Sequence, residues 1–320
     1  MKLRAIYETA ISFGMKMDPR GEAEVKKHLK AENERYQNLT EKEKKIYDKE
    51  KLTNPYADMR IAHDAGNEIK TVLAGIDMEV QELLLADRLT EKGTKIDAVI
   101  AHHPVGKAYA NFYEVMDMQA DIFAMFGVTV SVAEALTDRR QKEVGERAMP
   151  SNHYRASDAA KLLNISMMNM HTPTDNCVCT FLQERFDREK PNTLSKVTDM
   201  LMEEKEYAEY AKRGVGPVIL VGDKTRRVKK IFVDMTGGTE GAKDIYKELA
   251  NAGVDTIVGM HFSAEHKKAI EEAKLNAVIA GHISSDVLGM NVMLDEMERK
   301  LGKLNVIETS GFIRYKRGKK

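Results

Sequence analysis

Tryptophan is absent from this 320-residue chain, cysteine occurs twice, and neither sign of charge is in excess, with 50 Lys+Arg against 50 Asp+Glu. The charge balance argues against a nucleic-acid partner, because such proteins carry a basic excess. Cys177 and Cys179 are too few for a disulfide framework, and their scarcity fits a reducing, cytoplasmic compartment. They are expected as small buried apolar residues, although two thiols one residue apart also leave a further metal site open. No apolar run reaches the roughly 18 residues of a membrane span. The opening MKLRAIYETAISFGMKMDPRGE has no A-x-A pattern after its weakly apolar stretch and reads as a first helix, not a signal peptide. G-x-S-x-G and EF-hand sequences are also missing. Gly237-Gly238 in DMTGGTEG resembles a phosphate loop only loosely, since it lacks the Gly-Lys-Ser/Thr ending; the helix after it could still offer N–H groups to an anion.

What is present is ordinary for a globular protein: 42% hydrophobic and 31% charged residues, on a chain long enough to bury a large core unaided. A metal would therefore serve function rather than folding. The 19 methionines include a stripe at Met116, Met118 and Met125 that reads as core filler. The one basic cluster, Arg314, Lys316, Arg317, Lys319 and Lys320, reads as a solvated, frayed end.

The pattern along the chain is that of an α/β protein: two interlocked halves whose sheets are covered by helices. Residues 1–66 form a charged helical region, expected as a peripheral layer that could pack on a partner subunit. Residues 67–180 form the first half. There, EIKTVLAGID (68–77) and KIDAVIAHHP (95–104) read as buried strands around an amphipathic helix, a parallel pair with a right-handed crossover. SDAAKLLN (157–164) reads as a helix and ISMMNMHTPTD (165–175) as a strand running into a loop. Residues 181–215 form a helical connection. The second half, 216–320, alternates strands at 216–223, 229–238, 254–261, 276–286 and 304–313 with helices at 240–253, 264–275 and 288–303. No short-period repeat is visible, but both halves carry strand–loop–helix units ending in histidine.

Of the nine histidines, His102, His103, His171 and His282 lie just beyond the carboxyl ends of expected strands, where open α/β sheets bind ligands. His102–His103 follows DAVIA and is fixed by Pro104. In a chain leaving a strand both rings can converge on neighbouring ions, or each can simply bond to backbone. HTPTD puts Asp175 four residues after His171; Asp is an oxygen ligand able to bridge two ions, and the segment is equally a run of turn formers. GHISSD repeats the H-x-x-x-D spacing with His282 and Asp286, where Asp286, Ser284 or Ser285 could instead cap the next helix. Taken together, three His and two Asp without thiolate suit zinc, manganese, iron or magnesium. Five ligands exceed the need of one open zinc and fit two divalent ions roughly 3.5–4 Å apart that share a carboxylate.

In that order, DAVIAHHP, HTPTDN and AVIAGHISSD resemble the motifs of the NIF-three-like family, whose members are described as homologues of GTP cyclohydrolase I type 2. The resemblance covers 68–104, 165–176 and 229–313. It implies two α/β halves with a dinuclear metal centre at their junction, and ring-like hexamers. By motif it implies His102, His103, Asp175, His282 and Asp286 as ligands. Asp286 stands where the family usually has Glu, the usual Asn-Gly-Leu stretch near the N-terminus is missing, and 105–164 is long. Helices also occupy 181–215, where some members insert a domain.

The function this suggests is a metal-dependent hydrolase acting through activated water on a nucleotide-like or phosphorylated small molecule. His171 and His266 are candidates to carry protons or to hold a ligand in place. Two other classes use the same residues: a non-catalytic scaffold or regulatory protein, and a metal-trafficking protein.

Overall fold

The computed structural model describes residues 1–317; Lys319 and Lys320 of the basic tail lie outside the described residues. Nine short strands among them form two sheets. The first contains β1 (Ile61–His63), β2 (Thr71–Gly75), β3 (Ala98–Ala101), β4 (Ser166–Asn169) and β9 (Asn305–Glu308), in the order β1-β4-β3-β2-β9. The second contains β5 (Val218–Val221), β6 (Ile231–Asp234), β7 (Thr256–Gly259) and β8 (Asn276–Ile279), in the order β5-β8-β7-β6. The expected β2–helix–β3 crossover is present, with Val80–Glu91 as its helix and β2 parallel to β3.

The two sheets repeat one topology. In each, three successive strands run parallel, and the strand that precedes them in the chain pairs antiparallel with the last of the three. A small detail repeats too. Asp97 begins the β3 segment and accepts from the backbone N–H groups of Lys70 and Thr71. Asp255 begins the β7 segment and accepts from Lys229 and Lys230 in the same way. Each carboxylate ties the start of one parallel strand to its neighbour and satisfies donors that would otherwise be orphaned. The last strand, read from sequence with the second half, pairs instead with β2 of the first sheet, so the halves interlock.

β2, β3, β4 and β7 are almost wholly buried, as expected of parallel strands covered on both faces. The helix His171–Glu189 follows β4 and the helix His282–Leu301 follows β8; the two pack against each other at the centre of the molecule. Their closest approach needs Gly289, where a Cβ would lie 2.3 Å from the Thr174 carbonyl oxygen.

The N-terminal region divides. Leu3–Lys16 is not peripheral: Leu3, Ile6, Tyr7 and Ala10 follow helical spacing and are buried in the main core. This helix packs on both central helices, because its apolar stripe is too wide to leave in water. The following helices, Glu22–Gln37, which buries Val25 alone, and Glu41–Ile46, which buries nothing, behave as the charged solvated layer. Two other expectations change. Met116 and Met118 are core, but Met125 is 60% exposed. Arg314 and Arg317 are not frayed: Arg314 reaches Asp295 and Glu298, and Arg317 reaches Glu204 and Glu206. Cys177 and Cys179 are buried as expected. No helix among the described residues is long and apolar enough to cross a membrane.

Candidate metal centre

Neither H-x-x-x-D segment is a loop. His171 and Asp175 occupy the first and fifth positions of one central helix, and His282 and Asp286 those of the other. The i,i+4 spacing puts each His and Asp on one helical face. Pro173 does not interrupt the first helix because the N–H groups of a first turn have no intrahelical partner to lose. In the second, Gly281 at φ +113° makes the entry turn. Ser284 and Ser285 donate to the Gly281 carbonyl rather than capping, and Asp286 lies inside the helix. His102 and His103 leave β3 directly, their N–H groups bonded to the Gly75 and Ile76 carbonyls at the end of β2.

These six side chains converge. Ring centroids stand 5.0 Å apart for His102–His103, 5.0 Å for His102–His171 and 5.4 Å for His103–His282. Nε2 of His102 lies 3.5 Å from Asp175 and 3.4 Å from Asp286. Nε2 of His103 and of His282 each lie 3.6 Å from Asp286, and Nε2 of His171 lies 3.7 Å from Asp175.

The opposite ring nitrogens explain why these atoms face inward. The Thr174 hydroxyl donates to the Met170 or His171 carbonyl, so it accepts from Nδ1–H of His102 at 2.9 Å. Nδ1–H of His103 donates to Asp77 at 2.6 Å, and Nδ1–H of His171 to Asp58 at 2.8 Å. In neutral imidazoles this leaves bare lone pairs on Nε2, aimed at carboxylate oxygens. Lone pair against carboxylate is repulsive unless a cation or a proton lies between. Two donors about 2.1 Å from a tetrahedral ion stand about 3.4 Å apart, the spacing found here. Nε2 of His102, Oδ1 of Asp175 and both Asp286 oxygens are also buried without hydrogen-bond partners, a costly state for polar atoms. The residues fit a metal: His102–His103–His171, His103–His282–Asp286 and His102–Asp175–Asp286 each bring three ligand atoms within reach of one ion.

The charges respond to the crowding. Burial pushes the Asp175 carboxyl well above the usual carboxylate range, more than His171 lowers it, and Asp286 and Asp58 add to the rise. Burial alone would raise Asp286 too, but the imidazoles of His102, His282 and His103 hold it at about 2. Burial pulls His102 down to about 4, keeping it neutral. His171 rises to about 9 against the effect of burial, because Asp175 and Asp58 surround it.

The cluster opens into a cavity of about 500 Å³ between the two halves. His266 does not reach the cluster: it bonds to the Tyr246 hydroxyl and lies behind Glu240, 3.9 Å away. The histidine that borders the cluster is His261, just beyond β7, its ring 4.9 Å from that of His282 and its Nδ1 3.3 Å from Glu240. Sequence reasoning missed His261, Glu240, Asp58 and Asp77. His261 carried a usable signal, since it follows the strand VDTIVG as His103 follows its own. Asp58 had none, because it sits in an irregular segment before β1.

The family model for Duf34/NIF3 (NGG1p interacting factor 3) matches residues 142–312. Among solved structures, an NIF3 superfamily protein from Sphaerobacter thermophilus is 28% identical, with a TM-score of 0.70 over 80% of this chain and 91% of that one. Reduced HcgD from Methanocaldococcus jannaschii is 16% identical, with a TM-score of 0.44 over 78% and 87% of the two chains. TTHA1606 from Thermus thermophilus is 15% identical, with a TM-score of 0.46 over 79% and 89%. No curated protein matches.

Proposed function

Starting from a chain that belongs to the Duf34/NIF3 family, we propose that it is a dinuclear metal-dependent hydrolase of a nucleotide-like or phosphorylated small molecule. Its ligands are His102, His103, Asp175, His282 and Asp286. The observation that carries this reading is the set of Nε2 atoms of His102, His103 and His282 facing partnerless oxygens of Asp175 and Asp286 at 3.4–3.6 Å. Asp286 borders the imidazoles of His102, His103 and His282 and would be a ligand held in common by their sites. Divalent ions held by these residues would supply Lewis acidity and an activated water.

The chain's own residues do the rest. Asp77, Thr174 and Asp58 fix the tautomers and ring orientations of His103, His102 and His171. His171 is the proton carrier: Asp58 holds its Nδ1, so Nε2 is the exchanging atom at the cavity wall. Walls from both halves surround the substrate and limit water. The family resemblance also brings the expectation of a homo-oligomer, a hexameric ring, which light scattering on the eluted protein reads directly.

The test is metal analysis of protein purified without chelator or nickel resin, followed by a hydrolysis screen over nucleotides and phosphoesters. Two equivalents of metal and a turnover lost in Asp175→Ala, at unchanged assembly, are expected. Two equivalents with no turnover of any compound would sink the hydrolase reading in favour of a scaffold.

A further inference from the structure

The cavity wall outside the ion cluster carries its own chemistry. β2 and β6 occupy equivalent places in the two sheets. Their pairings with β3 and β7 align Gly75, opposite Ala101, with Asp234, opposite Gly259. In the first half this strand-end position is filled by neighbours: a Cβ on Gly75 would meet Met78 and Ser310 within 3 Å. In the second half the same position bears a carboxyl group that lines the cavity. No hydrogen bond or ion pair engages the Asp234 carboxyl among the described residues; the charged groups that influence it are Glu240 and His261. The fold does not need an acid here, as the glycine of the other half demonstrates.

Two further features frame Asp234. Glu240, accepting from the Ser263 N–H and next to His261, adds a second fixed acceptor. Gln119 holds the loop that carries it through the Gly237 and Thr239 carbonyls. Across the mouth stand Tyr109, Phe112 and His153, with Tyr109 ring centroids 5.4 Å from Phe112 and 5.1 Å from His153. Gly106 at φ +58° turns the chain toward this wall; a Cβ there would fall 2.2 Å from Ser157 Oγ. Flat rings offer stacking surface to a flat ligand. Arg155 is the one Arg or Lys among the described residues that lines the cavity, and Glu79 stands 4.0 Å from it. This part of the wall thus favours N–H donors and cations, not a chain of phosphates.

Resting on the reading of this cavity as a substrate site, we infer that its ligand is an aromatic ring bearing amino or amidine N–H groups, stacked at Tyr109 with its donors on Asp234. A half-buried carboxyl group without a partner rewards such a donor, because a ligand lacking it leaves the acid unpaired. A cavity of about 500 Å³ accommodates one such ring with substituents.

Calorimetric titration of the metal-loaded protein with benzamidine and with acetophenone, a ring of the same shape without N–H, tests the inference. Benzamidine is expected to bind at least tenfold more tightly. Asp234→Asn should weaken benzamidine at least fivefold at unchanged metal content, and Tyr109→Ala should weaken both probes. Equal affinities of the two probes for the native protein, or benzamidine binding untouched in Asp234→Asn, would overturn it. Metal analysis of the same samples reads the ion pair independently. A missing second ion would defeat the dinuclear reading without touching the probe preference, and the converse result would defeat this one alone.

Discussion

The two halves of this molecule share a strand order and deliver the same kind of unit to its centre, a strand followed by a helix that begins His-x-x-x-Asp. They surround that unit differently. In the first half Asp175 faces Asp286 and Asp58 and is pushed toward the protonated form, while His171 beside it is 8% exposed and held from behind by Asp58. In the second half Asp286 collects three imidazoles and stays ionised, and the side chain of His282 is 40% exposed on the cavity. One local motif, placed twice, gives a guarded acid and a charged one. Environment, not the spacing, assigns each carboxylate its role. The strand ends differ in the same spirit: His102-His103 against Met260-His261, and Gly75 against Asp234. The first half concentrates on the ions, and the second leaves acceptors free for a ligand.

The comparison breaks most severely where the two helices touch. Gly289→Ala should gain about 1 kcal/mol of helix propensity and lose about 3 kcal/mol to the collision with the Thr174 carbonyl. The net result is a lower midpoint in thermal unfolding; an unchanged or raised midpoint would mean that the helices separate freely. Next in size are the carboxylates behind the imidazoles. Asp77→Asn, behind the ligand His103, should weaken metal binding roughly tenfold, and Asp58→Asn, behind the proton carrier His171, should change metal affinity by less than that. Competition with a chromophoric chelator measures both, and the reverse ranking would contradict the roles given to His103 and His171.

The smallest effect is on stability with pH. A histidine whose folded value lies above its unfolded value stabilises the fold fully below the unfolded value, and loses that contribution as pH rises through the folded one. For His171, about 9 against an ordinary 6.5, the loss falls between pH 7 and 9. Asp175, raised by burial, acts in the same direction, whereas Asp234, at about 7, loses its part mainly below pH 7. Chelator-treated protein should therefore lose roughly 3 °C of midpoint between pH 7 and pH 9. The metal-loaded protein should not follow it, since cations bound beside His171 would lower its value and binding requires Asp175 to be deprotonated. Parallel pH curves for the two forms would count against the cluster as the metal site.

Much of the fold was legible in the chain. EIKTVLAGID, DAVIAHHP and NAVIAGH are apolar runs of strand length followed by turn or helix signals, and all three are strands where expected. What misled was local. Pro173 and its threonines looked like a turn, because the same residues suit a loop and a helix's first turn, and only the packing of Pro173 against Gly14 and of Thr174 against Gly289 selects the helix. The N-terminal helix looked peripheral because its charged neighbour, Glu22–Gln37, dominated the composition of that region.

Periodicity and strand-end placement fix, from sequence alone, that this chain is α/β and that His102, His103, His171, Asp175, His282 and Asp286 lie at sheet edges. Those are properties of a few consecutive residues, set by the repeat of the backbone and by burial. The pairing of β9 with β2, the meeting of two His-x-x-x-Asp helices, the recruitment of Asp58 and Asp77 behind the imidazoles and the partnerless Asp234 were decided only by tertiary structure. Each depends on contacts between residues far apart in the chain, where charge, burial and close approach are settled together and no short segment carries the information.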